Sequence, residues 1–186
     1  MKHILVLSAL SGVLALSGCS TLKNVVGNDT SGESNDEKIK RAELAAQADL
    51  SSKATILDTD GSVLKEGRDD WHCVPGIPLI PGDIHPMCND PVWSKLLKAA
   101  STGAAFETDR IGISYMLQGD ALVSNTNPAA TDPNNGDQWI QEGPHIMLVV
   151  PKELLKGVSD DPYNGGPYVM WKDTPYAHIM VPIKNK

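Results

Sequence analysis

The sequence predicts an α+β domain built on a mainly antiparallel sheet with two or three short helices, preceded by an N-terminal tether and helix. Three observations carry this reading. Apolar, β-prone segments come in neighbouring pairs around Gly- or Pro-containing turns, at 54–65 and again at 168–181. Helical patterns are confined to 36–50, 91–102 and a short stretch after Pro151. Segments rich in Asn, Asp, Gly and Pro break the chain at 124–138 and 159–167.

The elements follow in order. Lys2 precedes an apolar run from Ile4 to Leu16. A run of about 13 residues suits the core of an export signal and falls short of the ~20 needed to span a membrane. Residues 1–18 are therefore read as a signal peptide. Residues 19–35 are polar and carry Gly, Asn, Ser and Asp, so they read as a flexible tether. Ser34-Asn35-Asp36-Glu37 has the capping-box spacing. It opens a helix over 36–50, where Ile39, Ala42, Ala46 and Leu50 form a thin apolar stripe. Whether that helix docks is left open by the sequence.

A single domain spans 52–186. Ala54–Leu57 and Ser62–Lys65 flank Asp58-Thr59-Asp60-Gly61, a hairpin signature. The Asp-x-Asp-Gly turn lacks the later residues of a calcium loop, since Val63 and Asp69 stand where Gly and Glu belong. Asp90-Pro91 opens a second helix, whose Trp93, Leu96, Leu97 and Ala100 form one packing face, and Gly103 ends it. Residues 110–118 alternate, with Ile111, Ile113, Tyr115 and Leu117 on one side and Gly112, Ser114 and Gln118 on the other. Residues 146–150 are continuously apolar, as in a central strand. Pro151 starts a short helix stopped by Gly157, and 168–171 with 177–181 predict a last hairpin.

Cys73 and Cys88 predict a disulfide. The segment between them holds Pro75, Gly76, Pro78, Pro81 and Gly82, which rule out a helix and disfavour a central strand. Closing a loop of about 15 residues stabilises by about 3 kcal/mol in the chain-entropy picture. His72, Cys73, His85 and Cys88 are also potential zinc ligands, but their spacing matches no common structural zinc site.

The charge balance is 16 Lys+Arg against 23 Asp+Glu, with no basic patch, which argues against nucleic acid. No nucleophile elbow, phosphate loop or dinucleotide fingerprint is present, so no cofactor is expected. Two echoing triplets, His145-Ile146-Met147 and His178-Ile179-Met180, start apolar strands. On adjacent parallel strands the imidazoles would lie about 5 Å apart and could share a metal or ligand. On antiparallel strands they would sit at opposite ends. Satisfied structural histidines explain the same pattern. Glu142 and Asp173 are further candidates for an acid/base cluster. Trp139, Tyr163, Trp171 and Tyr176 lie in or beside the amide-rich loops, where aromatic platforms suit a saccharide or an extended peptide.

Leu16-Ser17-Gly18-Cys19 resembles the lipobox of bacterial lipoproteins. That resemblance implies a diacylglycerol thioether on Cys19, a fatty acyl chain such as palmitate on its amine, and an oxidising compartment. Ser20 resembles the default for the Gram-negative outer membrane, with the domain on its periplasmic side. A second resemblance, to exported bacterial proteins with no assigned activity, is carried by Ser114-Tyr115-Met116-Leu117-Gln118-Gly119-Asp120, Gly143-Pro144-His145-Ile146-Met147 and Thr174-Pro175-Tyr176-Ala177-His178. It implies a shared domain and transfers no site. The expectation is a lipid-anchored envelope protein, held to the membrane through Cys19. Its domain would be a non-enzymatic binding or structural module for an envelope protein, peptide or saccharide. The alternative is a metal-dependent or acid/base enzyme centred on His145 and His178.

Overall fold

The computed structural model describes residues 32–183. The signal 1–18, Cys19 and most of the 19–35 tether lie outside the described residues. Helix α1 (Asn35–Glu43) begins as its capping box requires: Ser34 Oγ accepts from Glu37 N, and Glu37 Oε2 accepts from Ser34 N at 2.9 Å. It does not run to Leu50. The Gln118 amide donates to Leu44 O at 3.1 Å, and Leu117 N donates to Ala45 O at 3.0 Å. Those carbonyls would otherwise accept from the next helical turn. The chain instead bends and restarts as the short α2 (Ala48–Ser51).

α1 docks on the domain. Ala42 and Ala45 are fully buried, Lys38 Nζ pairs with Asp58 Oδ2 at 2.6 Å, Lys65 Nζ pairs with Glu43 Oε1 at 2.6 Å, and Arg41 reaches Pro75 O at 2.7 Å. Asp60, in the adjacent turn, accepts from Ser62 N at 2.9 Å and from Ser62 Oγ at 2.6 Å. That is an Asx turn built by the loop's own side chains.

The strands among the described residues are β1 (Thr55–Leu57), β2 (Val63–Lys65), β3 (His72–Val74), β4 (Met87–Asn89), β5 (Gly112–Met116), β6 (Val123–Ser124), β7 (Trp139–Ile140), β8 (His145–Val149), β9 (Tyr168–Met170) and β10 (His178–Pro182). Eight of them form one sheet in the order β2-β1-β3-β4-β5-β8-β10-β9. Every neighbouring pair is antiparallel except β1 with β3, so the sheet is mixed but mainly antiparallel. β6 and β7 form a separate two-stranded ribbon that closes the base of the 124–138 loop.

Cys73 and Cys88 are paired directly across β3 and β4, joined by a disulfide, and fully buried. The expected non-strand segment is thus only the tip between the two arms. The bond excludes both thiols as zinc ligands.

Helix α3 (Pro91–Thr102) fits its sequence signals at both ends. Asp90 Oδ1 caps Trp93 N at 2.7 Å, while Oδ2 accepts from Ile113 N at 2.9 Å and ties the helix start to β5. Gly103 ends it at φ 67°, the left-handed conformation glycine adopts without cost. α3 covers the sheet face that carries Gly112, Ser114 and Met116, not the Ile113/Tyr115 face. The approach is close enough that a Cβ on Gly112 would stand 2.6 Å from Val149 Cγ1 and 2.9 Å from Val92 Cβ. The core therefore has two parts. One lies under α3 and includes Trp93, Leu96, Met116, Met147 and Met180. The other lies under α1 and surrounds the disulfide with Ala42, Ala45, Ala54 and Ile56. Ile113, Ile146, Leu148, Ile179 and Val181 face away from α3 and are half-buried.

Candidate functional site

A cavity of about 330 Å³ opens between α3, the sheet and two loops. Its floor is Met116, Met147 and Met170, alternate residues of β5, β8 and β9, with His178 of β10. Trp93, Leu96 and Leu97 of α3 form one wall, and Ile77, Leu79, Ile80 and Pro81 from the disulfide-closed loop form the rim. Leu122, Val123 and residues 127–131 pass across it, joined by Trp139 and Trp171. Its size lies within the roughly 300–1,000 Å³ typical of small-molecule sites, and its lining is mostly apolar with a few polar groups, as such sites require. Three methionines give the floor a deformable surface.

The loops are held by hydrogen bonds rather than by packing alone. Asp83 Oδ2 accepts from Ile77 N at 2.8 Å and from His85 N at 2.9 Å, fixing the rim. Ser124 Oγ accepts from Asn127 N at 3.0 Å and donates to Asp137 at 2.9 Å. Trp171 Nε1 donates to Ser124 O at 2.8 Å, which fastens the covering segment to the end of β9. Asn125 Nδ2 donates to Asp160 O at 3.2 Å, so the 124–138 and 159–167 loops adjoin.

His178 is one of the buried polar residues that line the cavity. It is 1% exposed and stands edge-to-face with two indoles, its ring centroid 5.1 Å from Trp93 and 5.0 Å from Trp171. Its Nδ1 is 2.9 Å from Tyr176 O. A carbonyl only accepts, so Nδ1 carries the proton and Nε2 presents a lone pair. Among the described residues Nε2 has no hydrogen-bond partner, and neither does the buried Nε1 of Trp93. Burial pushes the His178 imidazole down to about 4, so the ring is neutral at physiological pH.

A second polar group sits at the opposite end of the strands. His145 Nδ1 is 2.7 Å from Gly143 O, which leaves its Nε2 as an acceptor 4.0 Å from Asp120 Oδ2. Burial pushes the Asp120 carboxyl up to about 7, and burial also lowers His145. Nearby Tyr168 donates to Glu142 Oε1 at 2.8 Å, both side chains buried. Asp120 lines the cavity, so a weakly acidic carboxyl and a neutral imidazole share one apolar space.

The two histidines of the echoing triplets therefore do not converge. β8 and β10 are adjacent but antiparallel, with His145 opposite Pro182 and Ile179 opposite Leu148. Along the strand direction the backbone positions of His145 and His178 are offset by about four residues, or ~13 Å. No group of three or more His, Cys, Asp or Glu among the described residues is arranged to hold a metal ion. Asp173 is exposed, whereas Glu142 and His145 are buried.

The aromatic candidates divide. Trp139 and Trp171 line the cavity. Tyr163 is 63% exposed on the adjoining loop. Tyr176 is buried and donates to Ala104 O at 2.8 Å, so it fastens the end of α3 rather than facing a ligand. Sequence reasoning assigned Trp93 to the helix's packing face, and it is also a wall of the cavity. It missed Asp120 and the Ile77–Pro81 rim. The signal for Asp120 was an ionisable residue set against the apolar Ala121-Leu122-Val123 run. No protein-family model matches the chain, and neither the curated proteins nor the solved structures yield a match.

Proposed function

We propose that this chain is a lipid-anchored cell-envelope protein whose domain binds a small apolar ligand, without covalent chemistry, in the cavity beneath residues 122–131. The observation that carries the binding reading is the cavity itself: methionine-floored, walled by three of the four tryptophans, and holding buried polar atoms without partners. Loops closed by a buried disulfide and by side-chain hydrogen bonds keep the site preorganised, which lowers the entropic cost of binding. The anchoring part rests on Leu16-Ser17-Gly18-Cys19. Two or more acyl chains hold a protein on a membrane stably where one does not.

Two experiments test the two parts. The mature chain is titrated with N-phenyl-1-naphthylamine, a neutral apolar fluorophore. Saturable one-to-one binding that Ala130→Trp abolishes supports the site, and equal binding by both proteins removes it. Metabolic labelling with palmitate tests the anchor: label in the wild type that Cys19→Ala loses supports it, and label retained by the variant refutes it.

A further inference from the structure

We propose that the cavity is built for an apolar molecule carrying one hydroxyl, which accepts from Trp93 Nε1 and donates to His178 Nε2. This rests on reading the cavity as a ligand site and names the ligand's class. The two side chains both line the cavity, are 2% and 1% exposed, and stand edge-to-face with centroids 5.1 Å apart. Each holds one buried nitrogen with no partner among the described residues. One is a donor and one is an acceptor. The indole N–H can only donate. His178 Nε2 can only accept, because Nδ1 is committed as donor to Tyr176 O.

Few ligand groups answer both demands at one atom. A hydroxyl does so, since its oxygen accepts while its proton is donated. An ether or ketone oxygen accepts from Trp93 but leaves the imidazole lone pair unmatched. A carboxylate places a second acceptor against that lone pair, inside a space lined mostly by carbon. An alkane leaves both nitrogens unpaired. The surrounding Met116, Met147, Met170 and Leu96 then take the apolar body of the ligand.

The test compares ligands of matched size on the unaltered mature chain. Displacement of N-phenyl-1-naphthylamine is measured for 1-decanol, methyl nonyl ether and decanoate. A buried acceptor left unpaired weakens binding by about tenfold or more. Decanol is therefore expected to displace the probe at a concentration at least about tenfold below that of the ether or of decanoate. Equal potency of decanol and the ether overturns the hydroxyl proposal while leaving the cavity reading intact. Failure of both the probe and decanol to bind saturably overturns the cavity reading and the proposal with it. His178→Phe supplies a second readout, because it keeps a ring between the two indoles and removes the acceptor. It is expected to erase the preference for decanol over the ether, read as the ratio of their displacement midpoints in that variant, and a preference that survives overturns the role of His178. Should that variant not fold, the ligand series on the wild type decides alone.

Discussion

Asp120 is a carboxyl in an apolar space, so its protonation is linked to folding. Its side chain is buried, and one carboxylate oxygen has no partner among the described residues. Burial moves its pKa from 3.8 to about 7, a rise of about three pH units. Each unit is worth about 1.36 kcal/mol, so up to about 4 kcal/mol is at stake. The sign follows from linkage. The folded pKa lies above the unfolded one, so the folded state holds the proton more tightly. The contribution is fully present below about pH 4 and is lost as pH rises through 7. Asp120→Asn has no proton to lose. Its stability relative to wild type should rise with a slope approaching 1.36 kcal/mol per pH unit between pH 4 and 7 and level off above. The assay is urea denaturation of both proteins at half-unit steps from pH 4 to 8.5. His178 titrates in both proteins, so its effect cancels in the difference. A difference that does not vary with pH would show that Asp120 is solvated or paired in the folded state and would refute the reasoning.

Further outcomes are expected. His178 has the opposite sign: its folded value of about 4 lies below the usual 6.5, so its contribution is present above pH 6.5 and lost as pH falls toward 4. His178→Phe should flatten that loss, about 3 kcal/mol by pH 4, in the same urea series. Gly112→Ala should cost about 1–3 kcal/mol, because the added methyl meets Val149 and Val92 at under 3 Å and neither neighbour is a flexible chain end; a neutral result in thermal denaturation would mean α3 can lift off β5. Replacing Cys73 and Cys88 together by Ser should lower stability by about 3 kcal/mol. In the native wild type both sulfurs should resist dithiothreitol, as fully buried groups do, and rapid reduction read by mass spectrometry would contradict their placement.

Local chemistry was legible in the sequence, and assembly was not. The capping box at Ser34–Glu37, the Asp90-Pro91 start and Gly103 stop of α3, and the Asp60-Gly61 hairpin all depend on residues within a few positions of one another. The cysteine pair was readable because only two cysteines follow Cys19. The early end of α1 was not readable, because the donors that claim Leu44 O and Ala45 O come from residues 117 and 118. The buried face of β5 ran against hydropathy: Gly112 and Ser114 are inward because α3 needs the space, and Ser114 donates to buried Asn89 at 2.6 Å. The 124–138 segment read only as a break between elements, yet a two-stranded ribbon closes it and Asx turns order its interior. Trp139 and Trp171 were named as binding residues. Their partner in the cavity, Trp93, lies far away in sequence and carried a sufficient explanation as core. His145 and His178 looked alike in sequence, and only the antiparallel register of β8 and β10 separates their surroundings.

The cavity can be interrogated through the indole N–H resonances. Trp93, Trp139 and Trp171 line it, while Trp71 lies in the other cluster against Tyr115. In ¹⁵N-labelled mature chain saturated with N-phenyl-1-naphthylamine, the first three indole signals should move and the Trp71 signal should stay. Movement of Trp71 alone, or no movement of the other three at saturation, would place the ligand elsewhere and contradict the assignment of this space as the binding site.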